Sequence, residues 1–473
     1  MASAASSCSG PGSSWIAPSS VTETAEIVVC GAGIGGAAAA YHLAVRQRVP
    51  NVAIVDERAP MTLTSDKGTQ AYRNWFDGPD DTMARFVGRS IGILEELAES
   101  SGNVFDLSRH GYAFATADAR MRDWLRDQAR RLESFGAGTA REHPGRVPYE
   151  PVRGEAWHGV PDGCDLLLDA ALVQAHFTFL RRDAIAVSHV RRAGWMDAIR
   201  LGHWLLEEAC RHGARIVRDR FVGADTAGGR LTGVRLESGS TISTGRLAIA
   251  AGPRLPAVLG MLGIDLPVFL ELHAKMRFDD RLGVVPRLAP FMIWNDPVGE
   301  LDWSPAERAR FASDPNARWL LDPFPGGLHV RPIGSDRDVL LIWTFEAAPH
   351  EYVWPPTFDP NLGDVLLRGF AHVMPQATAY LGEAHRGYVD GGYYAKTPEN
   401  RPLVGPVEIE GVFLCAALSG YGIMASHAAG ELLATHMTGG ALPSYAAALS
   451  PRRYADAEYR RRLEGWDAKV GQL

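Results

Sequence analysis

The chain is short of cysteine, of long apolar runs and of any excess of one charge, and each shortage excludes a class of protein. Cys8, Cys30, Cys164, Cys210 and Cys415 are the only five cysteines in 473 residues. They are odd in number and show neither C-x-x-C nor zinc spacing, which argues against a disulfide framework and for a reducing compartment, with the cytoplasm as the expected address. No metal site is expected. No apolar stretch reaches membrane-spanning length, because the longest glycine–alanine segment is cut by His42 and Arg46. The 48 basic and 55 acidic residues leave a formal charge of -7, which gives no electrostatic reason to expect nucleic acid. Residues 1–19 are rich in Ser, Ala, Gly and Pro and lack the basic start and apolar core of a secretory signal, so 1–23 is expected to be a disordered leader. What remains has the apolar and charged fractions of a soluble globular protein, 46% and 22%, and the length for one large or two ordinary domains.

Against these shortages, glycine is concentrated where chemistry needs it. AEIVVCGAGIGGAAAAYHLA, from Ala25, reads as a buried strand, a G-x-G-x-x-G turn and an Ala-rich helix. Gly31 permits the tight turn, Gly33 lets the backbone approach a pyrophosphate at the positive helix end, and Gly36 allows close helix–strand packing. Ala32, Ile34 and Gly35 complete the expected cradle. Twenty residues on, a second apolar run ends at Asp56, placed to accept hydrogen bonds from an adenosine ribose, with Glu57 and Arg58 beside it.

The rest of the pattern fits an α/β fold. Residues 118–136 should form a helix from an Asp118 cap to Gly136, with Met121, Trp124, Leu125, Leu132 and Phe135 on one face. Residues 200–216 read as an amphipathic helix running into Gly213 and then a strand, ARIVRDRFV. A hairpin follows, with turns at Gly228-Gly229 and at 237–239. Residues 247–250 are apolar on both faces and stop at Ala251-Gly252, as a central parallel strand does where it meets a cofactor.

Three further blocks make the pattern specific: TSDKGTQAYRNW from Thr64, AIAAG from Ala248, and TPENRPLVG followed by LSGYGIM. From roughly residue 24 to 445 the chain resembles the FAD-dependent amine and amino-acid oxidoreductases typified by D-amino-acid oxidase, glycine oxidase and monomeric sarcosine oxidase. The resemblance implies flavin contacts at Thr64, Ser65, Arg73, Ala251, Gly252, Gly420, Tyr421, Gly422, Ile423 and Met424, and an adenine contact near Val222. It also implies a Rossmann-type FAD domain from 24–90, 195–265 and 386–446, a discontinuous mixed or antiparallel-sheet substrate domain from 91–194 and 266–385, and a helical tail over 447–473. The implied reaction takes a hydride from a CH–NH group to give an imine, with reoxidation by oxygen or another electron acceptor. A flavin monooxygenase tailoring a specialised metabolite, and a non-catalytic flavin-binding subunit or assembly factor, are the alternatives. The partners expected are a small amine or amino acid and that acceptor, without nucleic acid or membrane; the oligomeric state stays open.

Departures from the family narrow the expectation. Gly392 stands where sarcosine oxidases carry the flavin-anchoring cysteine, which implies noncovalent FAD. Met424 lies where those enzymes have a substrate-binding lysine, and Tyr394 where glycine oxidase has an arginine. Arg73 is therefore the guanidinium expected to hold a substrate carboxylate, with a structural salt bridge as its ordinary alternative. In LELHAKMRF, Glu271, His273, Lys275 and Arg277 share one strand face, and Leu270, Leu272, Ala274, Met276 and Phe278 share the other. Over a flavin, Lys275 could assist oxygen reduction and His273 steer substrate or accept a proton; otherwise the row is an ordinary solvated face. Tyr388, Tyr393, Tyr394 and Trp343 are candidates for an apolar pocket or for core. His42 and His427 are expected to be satisfied structural residues. Arg452-Arg453 and residues 460–462 are expected on a solvated helix, and 302–319 as an inserted helix beginning at Ser304-Pro305.

Overall fold

Alternating burial of one short strand explains the layering of the molecule. In Ile27–Cys30, Ile27 and Val29 face a helical layer while Val28 and Cys30 face a second sheet, so all four residues are buried. The computed structural model describes residues 22–465 except 77, 146–147, 155–156, 335–336 and 346; most of the expected leader, and residues 466–473 of the expected tail, lie outside them. The strand lies inside a six-stranded sheet ordered Arg215–Val217, Val52–Val55, Ile27–Cys30, Leu247–Ile249, Val412–Ala416, Leu403–Pro406. Its pairs are parallel except the last. Helices Ile34–Tyr41, Thr82–Ser101, Ala198–Arg211 and Gly422–Thr438 cover one face, and a four-stranded sheet containing the hairpin Phe221–Ala227/Arg230–Leu236 covers the other. This is a three-layer Rossmann-like arrangement of helices, parallel sheet and a smaller sheet; in open parallel sheets of this kind ligands bind at the carboxyl ends of the strands.

A nine-stranded sheet stands beside it, ordered Tyr388–Lys396, Phe269–Asp279, Asp338–Trp343, Leu328–Pro332, Phe291–Trp294, Tyr112–Thr116, Ala186–Val190, Cys164–Leu167, Ala140–His143. The edge strand Tyr388–Lys396 falls within the 386–446 segment expected of the cofactor domain, yet it pairs along the whole charged strand, Phe269 opposite Lys396 and Arg277 opposite Tyr388. It thereby carries the chain from the substrate-side sheet into the closing block.

Local signals account for most boundaries. Asp118 accepts hydrogen bonds from the backbone N–H groups of Arg120 and Met121 and caps Ala119–Ser134. On that helix Leu125, Ala129 and Leu132 are buried, whereas Trp124 is exposed, because the buried stripe passes to one side of it. Gly228 and Gly229, at φ of 59° and 78°, make the two-residue hairpin turn. The expected strand over 214–222 is instead two strands in different sheets, Arg215–Val217 and Phe221–Ala227. Asp219 turns the chain between them, its N–H donating to Val217 O and its carboxylate accepting the Arg220 N–H at 2.7 Å.

Three side-chain expectations change. His42 and His427 are buried as expected, but among the described residues His42 Nε2 and both nitrogens of His427 lack hydrogen-bond partners, since the helices around them are lined by alanine and leucine. Burial pushes His42 down to about 3 and His427 well below the usual imidazole range, so both stay neutral. Arg453 is not solvated: its guanidinium pairs with buried Glu399 at 2.7 Å, and Tyr454 and Tyr459 donate to the same carboxylate. The tail thus clamps the TPEN block from outside. The segment 302–319 does hold a helix, Pro305–Ser313, with Ser304 and Glu307 forming a capping box, and Arg368 ties it down through Glu307 at 2.6 Å.

Helix Gly422–Thr438 packs so tightly on Ile34–Tyr41 that a Cβ on Gly430 would meet the Ala38 carbonyl carbon at 2.8 Å and its oxygen at 2.9 Å. In an isolated helix Gly→Ala is favourable by about 1 kcal/mol. Here the backbone clash reverses the sign: Gly430→Ala should destabilise by about 1–3 kcal/mol, read as a lowered midpoint in thermal unfolding, and a raised midpoint would show that the helices are not packed at this point.

Candidate active site

The turn after Ile27–Cys30 brings three backbones together. Gly31, at φ 111°, has Ala250 O where a Cβ would lie, and Gly36 has Gly31 O there, so neither position has room for a side chain. Gly33 differs: a Cβ there would meet only Ser65 Oγ, at 3.1 Å, and otherwise faces the cleft. The Ile34 N–H, at the helix start, donates to that same Ser65 oxygen at 3.0 Å. Of the residues expected to contact the cofactor, Gly33, Ile34, Gly35, Thr64, Ser65, Gly252, Gly420, Gly422 and Ile423 line this cleft. Thr64 is held by donating to Tyr393 O at 2.6 Å. A helix N-terminus, a hydroxyl and an unobstructed glycine make a cradle fit for a pyrophosphate.

Other expected cofactor residues take other places. Ala32 is buried, and its N–H donates to Asp56 Oδ2 at 2.7 Å; the Arg58 N–H donates to Asp56 Oδ1 at 2.8 Å. Each oxygen keeps a second lone pair for a ribose hydroxyl. Burial raises the Asp56 carboxyl from its usual value despite these two bonds. The Arg58 guanidinium lies 5.5 Å from the centre of the Trp354 ring, and Glu57 is 3.9 Å from Arg220. Val222 is 37% exposed on the neighbouring four-stranded sheet, and neither it nor Ala251 lines the enclosed part of the cleft. At Gly392 a Cβ would stand 2.9 Å from Lys67 Cβ and 3.2 Å from its Cγ, so Lys67 fills the space that a tethering cysteine would need.

Backbone strain gathers around the cleft. Gln70, Asn400, Ala417 and Ser419 have φ of 56°, 58°, 50° and 53°, conformations that cost non-glycine residues on the order of 1 kcal/mol each. Asn400 is pinned through its side chain to the Ser419 hydroxyl and through its carbonyl to the Tyr421 hydroxyl.

A second cavity adjoins the first, and Thr69, Tyr394, Ser419 and Gly420 belong to both. Its wall includes Arg73, Tyr112, His273, Lys396, Asn400, Tyr421 and Met424. Arg73 is 6% exposed, donates from Nε to Trp75 O at 3.1 Å, and lies 5.1 Å from the Phe76 ring centre and 5.4 Å from that of Tyr112. No carboxylate pairs with it among the described residues. Among the described residues nothing supports the salt-bridge alternative for Arg73. Burial lowers its proton affinity, and the two ring faces offset part of the cost of burying the charge.

The charged strand splits by role. Glu271 lies opposite Tyr394 in the ladder and is buried. Its Oε2 accepts from Lys396 Nζ at 2.7 Å and from His273 Nε2 at 3.1 Å. Burial alone would raise the Glu271 carboxyl, but these two bonds bring it below its usual value. His273 Nδ1 meets the Thr344 hydroxyl at 3.1 Å, and the ring stacks on Tyr394 at 4.1 Å. Both nitrogens are thus engaged, and burial lowers the ring's basicity further, so His273 has no vacant site for a substrate proton. Lys275 Nζ donates to the Asp66 and Gly68 carbonyls at 3.1 and 3.0 Å and keeps one donor unused. Burial pushes it down to about 8. Arg277 is exposed and paired with Asp338. Of the aromatic candidates, Tyr394 walls the second cavity, Tyr393 lines the cleft, Trp343 is largely core, and Tyr388 is 66% exposed.

Tyr112, Lys396 and Asn400 were not foreseen as site residues. Asn400 had a readable signal, as the last residue of the TPEN block, and Lys396, just before that block, shares a face with Glu271 once the two strands are paired in this register.

The open face at Gly33 yields a direct expectation. Gly33→Val should fold but lose tight dinucleotide binding, measured as flavin content after purification, and full cofactor occupancy would contradict the cradle. Acid precipitation of the unaltered protein should release all yellow colour to the supernatant, because Lys67 occupies the tether position.

The comparisons agree with this geometry. A family model described as FAD dependent oxidoreductase, DAO, matches residues 26–436. No curated protein matches by sequence. Among solved structures, L-proline dehydrogenase from P. horikoshii superimposes with a TM-score of 0.70 at 20% identity, over 92% of this chain and 99% of that one. Iminodiacetate oxidase from a Chelativorans species gives 0.66 at 21% identity, over 90% and 98%, and glycine oxidase from Bacillus cereus gives 0.64 at 15%, over 88% and 95%. These likenesses establish a shared fold. With the family model spanning most of the chain and the nucleotide cradle in place, the protein belongs to the DAO family of FAD-dependent oxidoreductases.

Proposed function

We propose that this enzyme oxidises the CH–NH bond of an amine bearing a carboxylate, an amino acid or N-substituted amino acid, to the imine. The observation that carries the reading is Arg73, a buried guanidinium without an acidic partner among the described residues, in a cavity joined to the nucleotide cleft. A planar fork in that position suits bidentate binding of a carboxylate. The neighbouring structures carry the names of enzymes acting on proline, glycine and iminodiacetate, all of them amines with carboxylates.

Bound FAD supplies a two-electron acceptor for the substrate hydride. The chain's own residues bind and orient. Arg73 fixes the carboxylate, while Tyr394 and Met424 flank the cavity where it meets the cleft. Arg73 and Lys396 against the single carboxylate of Glu271 leave the surroundings net positive, which disfavours an ammonium and favours the neutral amine that oxidation requires. Since His273 is saturated, the amine is deprotonated by solvent before it is bound. The imine is hydrolysed after release.

Lys275 lines neither cavity, but its ammonium is bonded to the Asp66 and Gly68 carbonyls of the loop whose Gly68 lines the cleft, and through that loop it supplies a positive charge suited to oxygen reduction where oxygen is the acceptor. The cofactor half comprises 24–90, 195–265 and the closing block, and the substrate half comprises 91–194 and 266–385. Among the described residues no helix is long and apolar enough to cross a membrane; the cysteine pattern supports a cytoplasmic address.

Two expectations follow from these placements. Arg73→Met should lower kcat/KM for an amino acid by about 30- to 1000-fold, the worth of roughly 2–4 kcal/mol for a buried charged hydrogen-bonded pair, while the decarboxylated amine changes little; equal losses for both would remove the carboxylate role. Lys275→Met should slow reoxidation of the reduced enzyme by oxygen at least about tenfold more than it slows anaerobic reduction. In the unaltered enzyme that reoxidation should fall as pH rises through about 8, where the ammonium loses its proton. Rapid-mixing kinetics separates the half-reactions, and an unaltered reoxidation rate in Lys275→Met, with the fall near pH 8 retained, would defeat the assignment.

A further inference from the structure

The nine-stranded sheet has an opening in it beside the substrate cavity. Phe269–Asp279 pairs with Asp338–Trp343 from Asp279 opposite Asp338 as far as Lys275 opposite Ile342. There the ladder stops. The two chains meet again at an isolated bridge between Glu271 and Pro349, supported by the His350 N–H donating to Leu270 O at 2.7 Å. Between these points, among the described residues, His273 and Thr344 reach across through the 3.1 Å bond between Nδ1 and the hydroxyl.

On the far side lies a chamber larger than the cavity holding Arg73 and partly open to solvent. His273 and Thr344 belong to the walls of both. Trp319, Trp343, Phe345 and Phe358 line the chamber, and its floor is Leu272 and Ala274, from the apolar face of the charged strand. The rings are already organised: Trp319 stacks on Phe345 at 5.4 Å, and Trp343 meets Phe345 edge-on at 6.1 Å. Trp319, Phe345 and Phe358 are half-buried and Trp343 is buried, so three rings offer apolar surface to an apolar occupant, beside the polar groups of His350, Thr357 and Asp359.

We infer that this chamber is the distal subsite for the substrate, taking a bulky aromatic substituent that runs past His273 and Thr344 from the reacting CH–NH group. The occupant is argued from adjacency: His273 and Thr344 are the wall common to chamber and substrate cavity, so a group attached to the reacting amine enters the chamber where the contact between these two side chains parts. Short amino acids would leave it unused. His273, with both nitrogens tied up, serves here as a positioning residue in the partition. The inference rests on the proposed amine oxidation, and deepens it by naming the substituent.

The test uses the FAD-loaded enzyme. Ala274→Phe should fill the floor of the chamber without touching Arg73. Anaerobic flavin reduction should be compared for glycine and N-methylglycine against phenylalanine and a naphthyl-substituted alanine. The unaltered enzyme should favour the aryl substrates by at least about tenfold in kcat/KM, and Ala274→Phe should erase most of that preference while small substrates change less than about threefold. A binding measurement keeps this distinct from the activity: 1-naphthylacetate, which cannot be oxidised as an amine, should perturb the flavin spectrum and bind at least about tenfold more weakly to Ala274→Phe. Phe345→Leu, a gentler change, should weaken the same probe several-fold, so a misfolded Ala274→Phe would not leave the inference standing alone. Equal binding of the probe to all three proteins, or an equal preference for small and aryl amines in the unaltered enzyme, would overturn it. If no amine reduces the flavin yet the probe binds as expected, the subsite stands and the amine-oxidation reading falls.

Discussion

The site depends on backbones in direct contact at the carboxyl end of the central strands. Gly31 lies against the Ala250 carbonyl and Gly36 against Gly31 itself, so strand, turn, helix and the neighbouring strand end approach as closely as peptide groups can. That contact aims the start of helix Ile34–Tyr41 into the cleft and leaves Gly33 as the one open face. Gly430 repeats the device one layer out, bringing the closing-block helix onto Ala38. Because Gly420 and Gly422 precede that helix, its packing also fixes how the closing block meets the cleft. A small error in the first contact would therefore be transmitted to every wall of the site.

Charge is distributed as deliberately as volume. Arg73 is held between aromatic rings and a backbone carbonyl, without an anion of its own, so the protein bears part of a desolvation cost that an anionic ligand would relieve. The second cation, Lys396, is compensated by Glu271, and that carboxylate also orients His273. Among the described residues the cavity thus holds one cation without an acidic partner and one that is paired, the arrangement on which the proposed carboxylate binding rests. The strain at Asn400 and Ser419 lies where the two cavities join, with each residue locked to the other's side chain.

Local chemistry made much of this legible in the sequence. The nucleotide turn, the Asp118 cap, the Gly228-Gly229 turn and the alternation of the charged strand each lie within a dozen residues, and each is set by φ, period or capping. What escaped depends on pairing between distant segments. Lys396 becomes a site residue only through its position opposite Phe269, and Tyr112 only because its strand pairs with Phe291–Trp294. The saturation of His273 needs Thr344, on a strand neighbour invisible to a local pattern. Arg453 looked solvated because its partner Glu399 is fifty-four residues away. The 214–222 segment reads as one strand by composition, and only the sheets on either side divide it at Asp219.

The central claim is that an amine, with no nicotinamide, delivers electrons to the bound flavin through a cavity governed by Arg73. Anaerobic mixing of the purified yellow protein with a panel of amino acids and their decarboxylated amines, followed by the flavin absorbance, tests it most directly. The account predicts bleaching by at least one carboxylate-bearing amine in the absence of NAD(P)H, with imine or its hydrolysis product formed in equal amount. Bleaching by NAD(P)H alone, with every amine inert, would contradict it.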